Sequence, residues 1–329
     1  MTSFTPVGQL LERQPVDRYR DWLLVTPVLD DSLLHAPPRR VWCTDHAIAA
    51  AYRKAGHDVV EGLEAPGSVQ GALLFWPKSH ALGVWWVRTL CATLQVNTPL
   101  HIVGEHQGGI KRVPKVLEAL GLSGERVDNA RRCSLFATST HAFCQAASDT
   151  EDGWLRFEAL DLTLHSHPGV FGHGKLDEGT RLLLEHLPTL SGHVLDVGCG
   201  DGIISAWLAT RGAAVTATDV NHFALEATRR TLAANGASGE VIASDMLENV
   251  SGRFTAIVTN PPFHQERSVD YDPTRRLIEQ APEHIEERGC FYLVANAFLP
   301  YAQILKTHFT QVDVLADNRR FKVYRATNG

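Results

Sequence analysis

One heptapeptide constrains this chain more than any other stretch. Asp196-Val197-Gly198-Cys199-Gly200-Asp201-Gly202 follows the apolar run 194–197 and opens the helical pattern 203–211. A buried strand that breaks into glycines and restarts as a helix is the turn of a strand–helix–strand unit. Glycines at 198 and 200 let the backbone bend sharply and approach a ligand with no Cβ in the way. In an open parallel sheet that ligand sits at the carboxyl ends of the strands, beside the point where strand order reverses.

The residues around the loop agree. Further strand patterns occur at 214–218, 241–243, 256–259 and 291–294, separated by helical spacing. Such short apolar or β-branched runs predict a parallel sheet with helices on both faces. Asn221 is placed to cap a helix carrying Leu225 and Leu232, and Gly236 to end it. Leu277, Ala281 and Ile285 recur at helical spacing, with Pro282 predicting a break among them. Residues 312–315 and 321–325 read as two final strands around a polar turn.

A chain of 329 residues is too long for one ordinary core and predicts two domains. The first half shows similar elements: strands at 23–25, 72–76 and 101–103, and a helix carrying Val84, Trp85, Val87, Leu90 and Leu94. The polar stretch 147–153 is the expected linker, so the halves read as a tandem repeat in element order. With 44% hydrophobic and 21% charged residues the composition is that of a globular protein. No apolar run is long enough to span a membrane, and the first residues lack the pattern of a signal peptide, so a cytoplasmic protein is expected. The six cysteines, Cys43, Cys91, Cys133, Cys144, Cys199 and Cys290, form no C-x-x-C pair and are expected to be reduced. His165, His167 and His173 lack partners at metal-ligand spacing, and no metal site is expected. The net charge of −6 gives no overall attraction for nucleic acid, so any such contact must rest on local patches.

The glycine spacing is not that of a dinucleotide loop, because Ile203 stands where G-x-G-x-x-G needs its third glycine. The D-x-G-x-G-x-G pattern at 196–202 instead resembles motif I of the class I S-adenosylmethionine-dependent methyltransferases. The resemblance implies that Asp196, Gly198, Cys199 and Gly200 hold the amino-acid part of S-adenosylmethionine. Asp219 ends the second strand, where a carboxylate can accept both ribose hydroxyl hydrogens, with Val220 following it. Asp245 ends the third strand, next to Met246, and by family analogy takes the adenine amino group.

After the fourth strand comes Asn260-Pro261-Pro262-Phe263. It resembles the N/D-P-P-Y/F tetrapeptide of enzymes that methylate planar amino nitrogens. Such a nitrogen is a poor nucleophile, because its lone pair is delocalised. A useful site accepts both N–H hydrogens and aims the lone pair at the methyl group. The Asn260 amide oxygen and the Pro261 carbonyl can accept them, two prolines stiffen the loop, and Phe263 can stack on the target ring.

Several segments narrow the resemblance to the bacterial small-subunit ribosomal RNA guanine-N2 methyltransferases of the RsmC type. They are Gly169-Val170-Phe171, Leu176-Asp177-Glu178-Gly179, Asn260-Pro261-Pro262-Phe263-His264-Gln265, Val294-Ala295-Asn296-Ala297-Phe298-Leu299-Pro300-Tyr301 and Arg320-Phe321-Lys322-Val323-Tyr324-Arg325-Ala326. Phe75-Trp76-Pro77-Lys78 and Val103-Gly104-Glu105 extend it, less sharply, into the first half. The resemblance implies an α/β protein of two tandem Rossmann-like methyltransferase domains. The first, residues 1–153, is degenerate and supports RNA recognition. The second, residues 165–329, is catalytic. The first half lacks the glycine loop, and Trp76-Pro77-Lys78 stands where the catalytic tetrapeptide would be.

The family further implies S-adenosylmethionine as cofactor and 16S rRNA in the small ribosomal subunit as partner. It implies direct methyl transfer to a base presented outside any duplex. A monomer without membrane contact is expected. Phe171 and Asp177 belong by family role to a segment covering the cofactor, although Asp177 is equally placed to cap the following helix. Lys111, Arg112 and Lys115 are candidates for phosphate contact or simply an exposed helix face. Three other readings stay open: a guanine-N2 methyltransferase of 23S rRNA, a protein glutamine methyltransferase, and a non-catalytic RNA-binding assembly factor.

Overall fold

The computed structural model describes residues 4–15, 17–142, 153–261 and 273–328. The chain divides into two compact units, Met1–Gly153 and Trp154–Gly329.

In the first unit seven strands form one sheet. They are β1 (Leu23–Val25), β2 (Arg40–Cys43), β3 (Asp58–Glu61), β4 (Ala72–Phe75), β5 (Pro99–Glu105), β6 (Glu125–Ala130) and β7 (Cys133–Ser139). Their order is β3-β2-β1-β4-β5-β7-β6. The second unit opens with a hairpin, β8 (Leu155–Ala159) and β9 (Leu162–Ser166), which the sequence patterns do not reveal. A second seven-stranded sheet follows: β10 (His193–Val197), β11 (Ala214–Asp219), β12 (Gly239–Ala243), β13 (Phe254–Thr259), β14 (Ile285–Asn296), β15 (Gln311–Asp317) and β16 (Phe321–Thr327). Its order, β12-β11-β10-β13-β14-β16-β15, is that of the first sheet element for element. The halves therefore repeat one architecture, as their element order predicts. In both sheets six strands run in one direction and a single strand, β7 or β16, pairs antiparallel with both its neighbours.

The second sheet is buried on both faces, and successive residues serve opposite faces. Val194, Val258 and Tyr292 pack with Leu183, Ile204 and Leu232 on one side. Their neighbours Leu195, Ile257 and Leu293 pack with Leu277, Ile278 and Leu305 on the other. Each fully buried aliphatic side chain there contributes roughly 1.5–3 kcal/mol of burial free energy. This two-sided burial is why the strands read as continuous apolar runs.

The helix His222–Ala234 starts and stops where the sequence predicts. Asn221 accepts a hydrogen bond from the Phe223 amide at 3.0 Å, and Gly236 follows at φ +64°. The pattern Leu277, Ala281, Ile285 is corrected at its end. The helix Pro273–Gln280 tightens to a 3₁₀ turn over Ala281–His284, and Ile285 begins β14. Pro282 cannot donate the backbone bond that would continue the α-helix.

β10 lies between β11 and β13, so the strand order reverses at the β10–β13 edge. Gly198 follows β10 and Asn260 follows β13, which puts both at the carboxyl-end crevice of the reversal.

Candidate active site

The glycine loop is pinned to the neighbouring strand. The amides of Gly198 and Cys199 both donate to the Thr218 carbonyl, at 2.8 and 2.9 Å. The Gly200 amide donates to Asp219 Oδ2 at 3.1 Å, and the Asn221 amide to Asp219 Oδ1 at 2.9 Å. Asp219 thus organises the loop, while a carboxylate retains lone pairs for further donors. Gly198 and Gly200 have φ of +75° and +57°, and a Cβ on either would meet nothing within 4 Å. Their surroundings are open and their backbone is left-handed, which is what a ligand approaching the main chain requires. Gly202 differs. At φ +81° it precedes the helix Ile203–Ala209, and a Cβ there would lie 2.7 Å from Thr228 Cα. The third glycine of the pattern lets two helices approach.

Beneath the loop, Asp196 is fully buried. Ser205 Oγ donates to its Oδ2 at 2.6 Å, while Oδ1 has no hydrogen-bond partner among the described residues. Burial pushes its carboxyl up to about 7. Asp201 is a second acid that sequence reasoning passed over. It is buried, it accepts from the Ile203 amide at 3.3 Å, and burial again raises it to about 7. Its one sequence signal was its place between the second and third glycines.

A cavity brings together much of what the sequence singled out. Phe171, Asp177, Gly198, Cys199, Gly200 and Asn260 line it, joined by Asp201 and Thr180. Phe171 is largely exposed, at 73%. Asp196, Asp219, Val220, Asp245 and Met246 do not line this cavity, but lie at or below the ends of β10, β11 and β12. Asp245 is engaged elsewhere: Arg276 Nη2 donates to both of its carboxylate oxygens at 2.8 Å. Any amino group brought to Asp245 must share that carboxylate with Arg276.

Asn260 has the most specific environment. Its Nδ2 donates to Asp177 Oδ2 at 2.9 Å and to Thr180 Oγ1 at 2.7 Å. A carboxylate only accepts, so the amide orientation follows from chemistry. Oδ1 is buried and has no hydrogen-bond partner among the described residues. Thr259, one residue earlier, donates through Oγ1 to the Val197 carbonyl at 2.8 Å and stitches the ends of β10 and β13 together. Pro261 is buried, whereas Pro262 and Phe263 lie outside the described residues. Asp177 does cap its helix, accepting from the Thr180 amide at 2.9 Å, so the cap and the link to Asn260 share one oxygen.

The histidines near the site have structural partners. His167 stacks on Phe223 with ring centroids 4.2 Å apart, and His173 bonds Ser166 Oγ at 3.1 Å. Among the described residues no group of three His, Cys, Asp or Glu side chains could hold a metal ion.

In the first unit the equivalent position is filled by protein. Trp76 follows β4 as Asn260 follows β13. Its indole is buried, and a Cβ on Gly83 would lie 2.5 Å from it. Lys111, Arg112 and Lys115 are exposed on the 3₁₀ turn and helix spanning Ile110–Arg112 and Val113–Ala119.

Two family models match the chain. The Methyltransferase small domain N-terminal model covers residues 9–156, and the Methyltransferase small domain model covers residues 161–325. The chain is 55% identical to the ribosomal RNA small subunit methyltransferase C of Chromohalobacter salexigens, over 99% of this chain and 98% of that one. It is 38% identical to the protein of that name from Pseudomonas entomophila, over 98% and 99%. Among solved structures, the T. thermophilus 16S rRNA N2 methyltransferase RsmC, in complex with AdoMet and guanosine, superposes with a TM-score of 0.86. That match has 25% identity and covers 99% of this chain and 92% of the other.

Proposed function

The chain belongs to the ribosomal RNA small subunit methyltransferase C family, and from that premise we propose that it methylates N2 of a guanine in 16S rRNA. The observation that carries the reading is the Asn260 amide, whose two hydrogens are spent on Asp177 and Thr180 while Oδ1 is left to accept. A buried acceptor without a partner costs about 1–3 kcal/mol, which a donor from the substrate recovers.

The residues present fit S-adenosylmethionine. Gly198 and Gly200 offer open main chain, Asp219 a pinned carboxylate for ribose hydroxyls, and Asp201 a buried carboxyl in the cavity lining. When bound, that cofactor supplies an electrophilic methyl group on a sulfonium sulfur. Asn260 Oδ1 accepts one hydrogen of the guanine amino group, and the Pro261 carbonyl is assigned the other. Holding both hydrogens turns the nitrogen lone pair out of conjugation, so positioning is the main catalytic effect. The nitrogen–carbon bond forms as the carbon–sulfur bond breaks, its electron pair stays on sulfur, and the surplus proton leaves to water. Phe263 is assigned to stack on the base, which must be unpaired or flipped to arrive.

The degenerate first domain, residues 1–153, is assigned to RNA recognition, with Lys111, Arg112 and Lys115 as its candidate phosphate contacts. The catalytic domain is assigned to the second unit, Trp154–Gly329, which starts before residue 165 because the hairpin β8–β9 packs into its core. The protein acts as a cytoplasmic monomer on the small ribosomal subunit. Among the described residues no helix is long and apolar enough to cross a membrane.

The test offers methyl-labelled S-adenosylmethionine with unmethylated small subunits, large subunits and peptide-chain release factor in parallel. Label recovered from small-subunit RNA as N2-methylguanine is the expected result. Label on large-subunit RNA would keep the chemistry and reassign the target. Label on release factor would move the substrate to a glutamine side chain, and no label would favour an assembly factor.

A further inference from the structure

We propose that Asp177 and Thr180 are positioning residues that lock the Asn260 amide with its oxygen towards the amino group to be methylated. The inference rests on the methyltransferase reading and deepens it at the same site.

An asparagine amide is nearly symmetric in shape. Turned by half a rotation, Asn260 would present an NH₂ group to the target nitrogen instead of an acceptor. Nothing in a strand end prevents that turn. Here the two hydrogens of Nδ2 meet two acceptors on one helical turn, Asp177 Oδ2 at 2.9 Å and Thr180 Oγ1 at 2.7 Å. The reversed amide would bring its oxygen against a carboxylate, two acceptors with no proton between them. The correct orientation is therefore chemically enforced.

The turn is itself held rigidly. Asp177 Oδ2 also accepts from the Thr180 amide at 2.9 Å, so the carboxylate cannot rotate away without uncapping the helix Glu178–His186. Leu183 and Leu184 of that helix are buried in the core of the second sheet. Gly179, between the two acceptors, leaves no slack. A Cβ there would lie 3.0 Å from Asp177 Oδ2 and 3.3 Å from two carbons of the buried Phe321 ring. The segment that the family resemblance gives to the cofactor thus has a second duty, toward the catalytic asparagine.

The test separates capping from positioning. Serine caps helices as aspartate does but is too short to reach Asn260, so Asp177→Ser keeps the cap and removes the link. Thr180→Val is close to isosteric and removes only the hydroxyl. Combined, the two are expected to lower kcat at saturating cofactor roughly 100-fold, with KM for RNA within about twofold and Tm within about 2 °C of wild type. Asp177→Asn, whose amide oxygen can accept both bonds, recovers most of the loss. In an Asn260→Ala background the same pair has no further effect, because residues acting through one group are not additive with its removal. A readout independent of turnover is the ¹⁵N side-chain signal of Asn260, identified by its disappearance in Asn260→Ala. Its two protons are expected to exchange slowly with solvent in wild type and fast in the double variant.

Unchanged exchange in the double variant, a further fall in the Asn260→Ala background, or a loss confined to cofactor affinity would each overturn the proposal. Absence of transfer by the wild-type protein would instead overturn the functional reading. The amide signal would still decide the clamp.

Discussion

Asp201→Asn should make the protein less sensitive to pH, and the structure sets the size of the effect. The side chain is buried, with one backbone amide as its hydrogen-bond donor, and burial raises its carboxyl from 3.8 to about 7. The folded state therefore keeps this proton over a range in which the unfolded chain has lost it. Stability is highest below the unfolded value and falls as pH rises towards the folded one, by about 1.4 kcal/mol per pH unit. The whole window is worth about 4 kcal/mol, and the part between about pH 5 and about pH 8 about 3 kcal/mol. Asparagine has nearly the same shape and does not titrate. Relative to wild type, Asp201→Asn should gain about 3 kcal/mol over that interval, roughly 6–12 °C in the melting of a domain this size. Calorimetry of both proteins at the two pH values measures it. The comparison between variants cancels the titrating groups that do not feel the charge of Asp201; Asp196, raised to about 7 chiefly by burial and in part by Asp201, cancels only partly. Parallel pH profiles would show that Asp201 is ionised or solvated in the folded protein, and the argument from burial would fail.

Asn260→Ala should lower methyl transfer by at least about 100-fold while cofactor affinity stays within about twofold, and turnover near the wild-type rate would refute the assigned acceptor. Asp219→Ala removes the carboxylate proposed for the ribose and the anchor of the glycine loop, so calorimetric titration should show cofactor affinity weakened by roughly 3 kcal/mol, about 100-fold, with RNA affinity unchanged. Gly202→Ala places a methyl group against the Thr228 backbone at a left-handed position. Its domain should melt well below that of Gly236→Ala, which shares the positive φ but has open space, and equal melting would contradict the close approach. Trp76→Ala empties a filled site in the first domain and should cost about 3–5 kcal/mol in urea denaturation, whereas a loss under about 1 kcal/mol would mean that the pocket is not packed.

Periodicity and glycine placement carried most of the second domain. The apolar runs at 194–197, 256–259 and 291–294 became β10, β13 and the middle of β14, because strands buried on both faces need no polar alternation. The first domain was less legible. β2 and β3 lie towards the outer edge of its sheet, where β3 is half-exposed and its pattern is weak. The hairpin β8–β9 was also missed. Only alternate residues of β9 reach the core, and the run is short enough to pass as a loop.

The sequence by itself determined the chemistry on offer. It carried the D-x-G-x-G-x-G loop and the Asn-Pro-Pro-Phe tetrapeptide, each tied to its own strand end. Those signals are local, and local backbone geometry is what short-range sequence encodes. Only the tertiary structure decided which groups meet. It spent both Asn260 hydrogens on Asp177 and Thr180, some eighty residues away in the chain, and gave Asp245 to Arg276. It also buried Asp201 deeply enough to hold a proton near neutrality. Hydrogen-bond partners distant in sequence, and the desolvation that shifts a carboxyl, arise from close packing, and no single segment carries a signal for them.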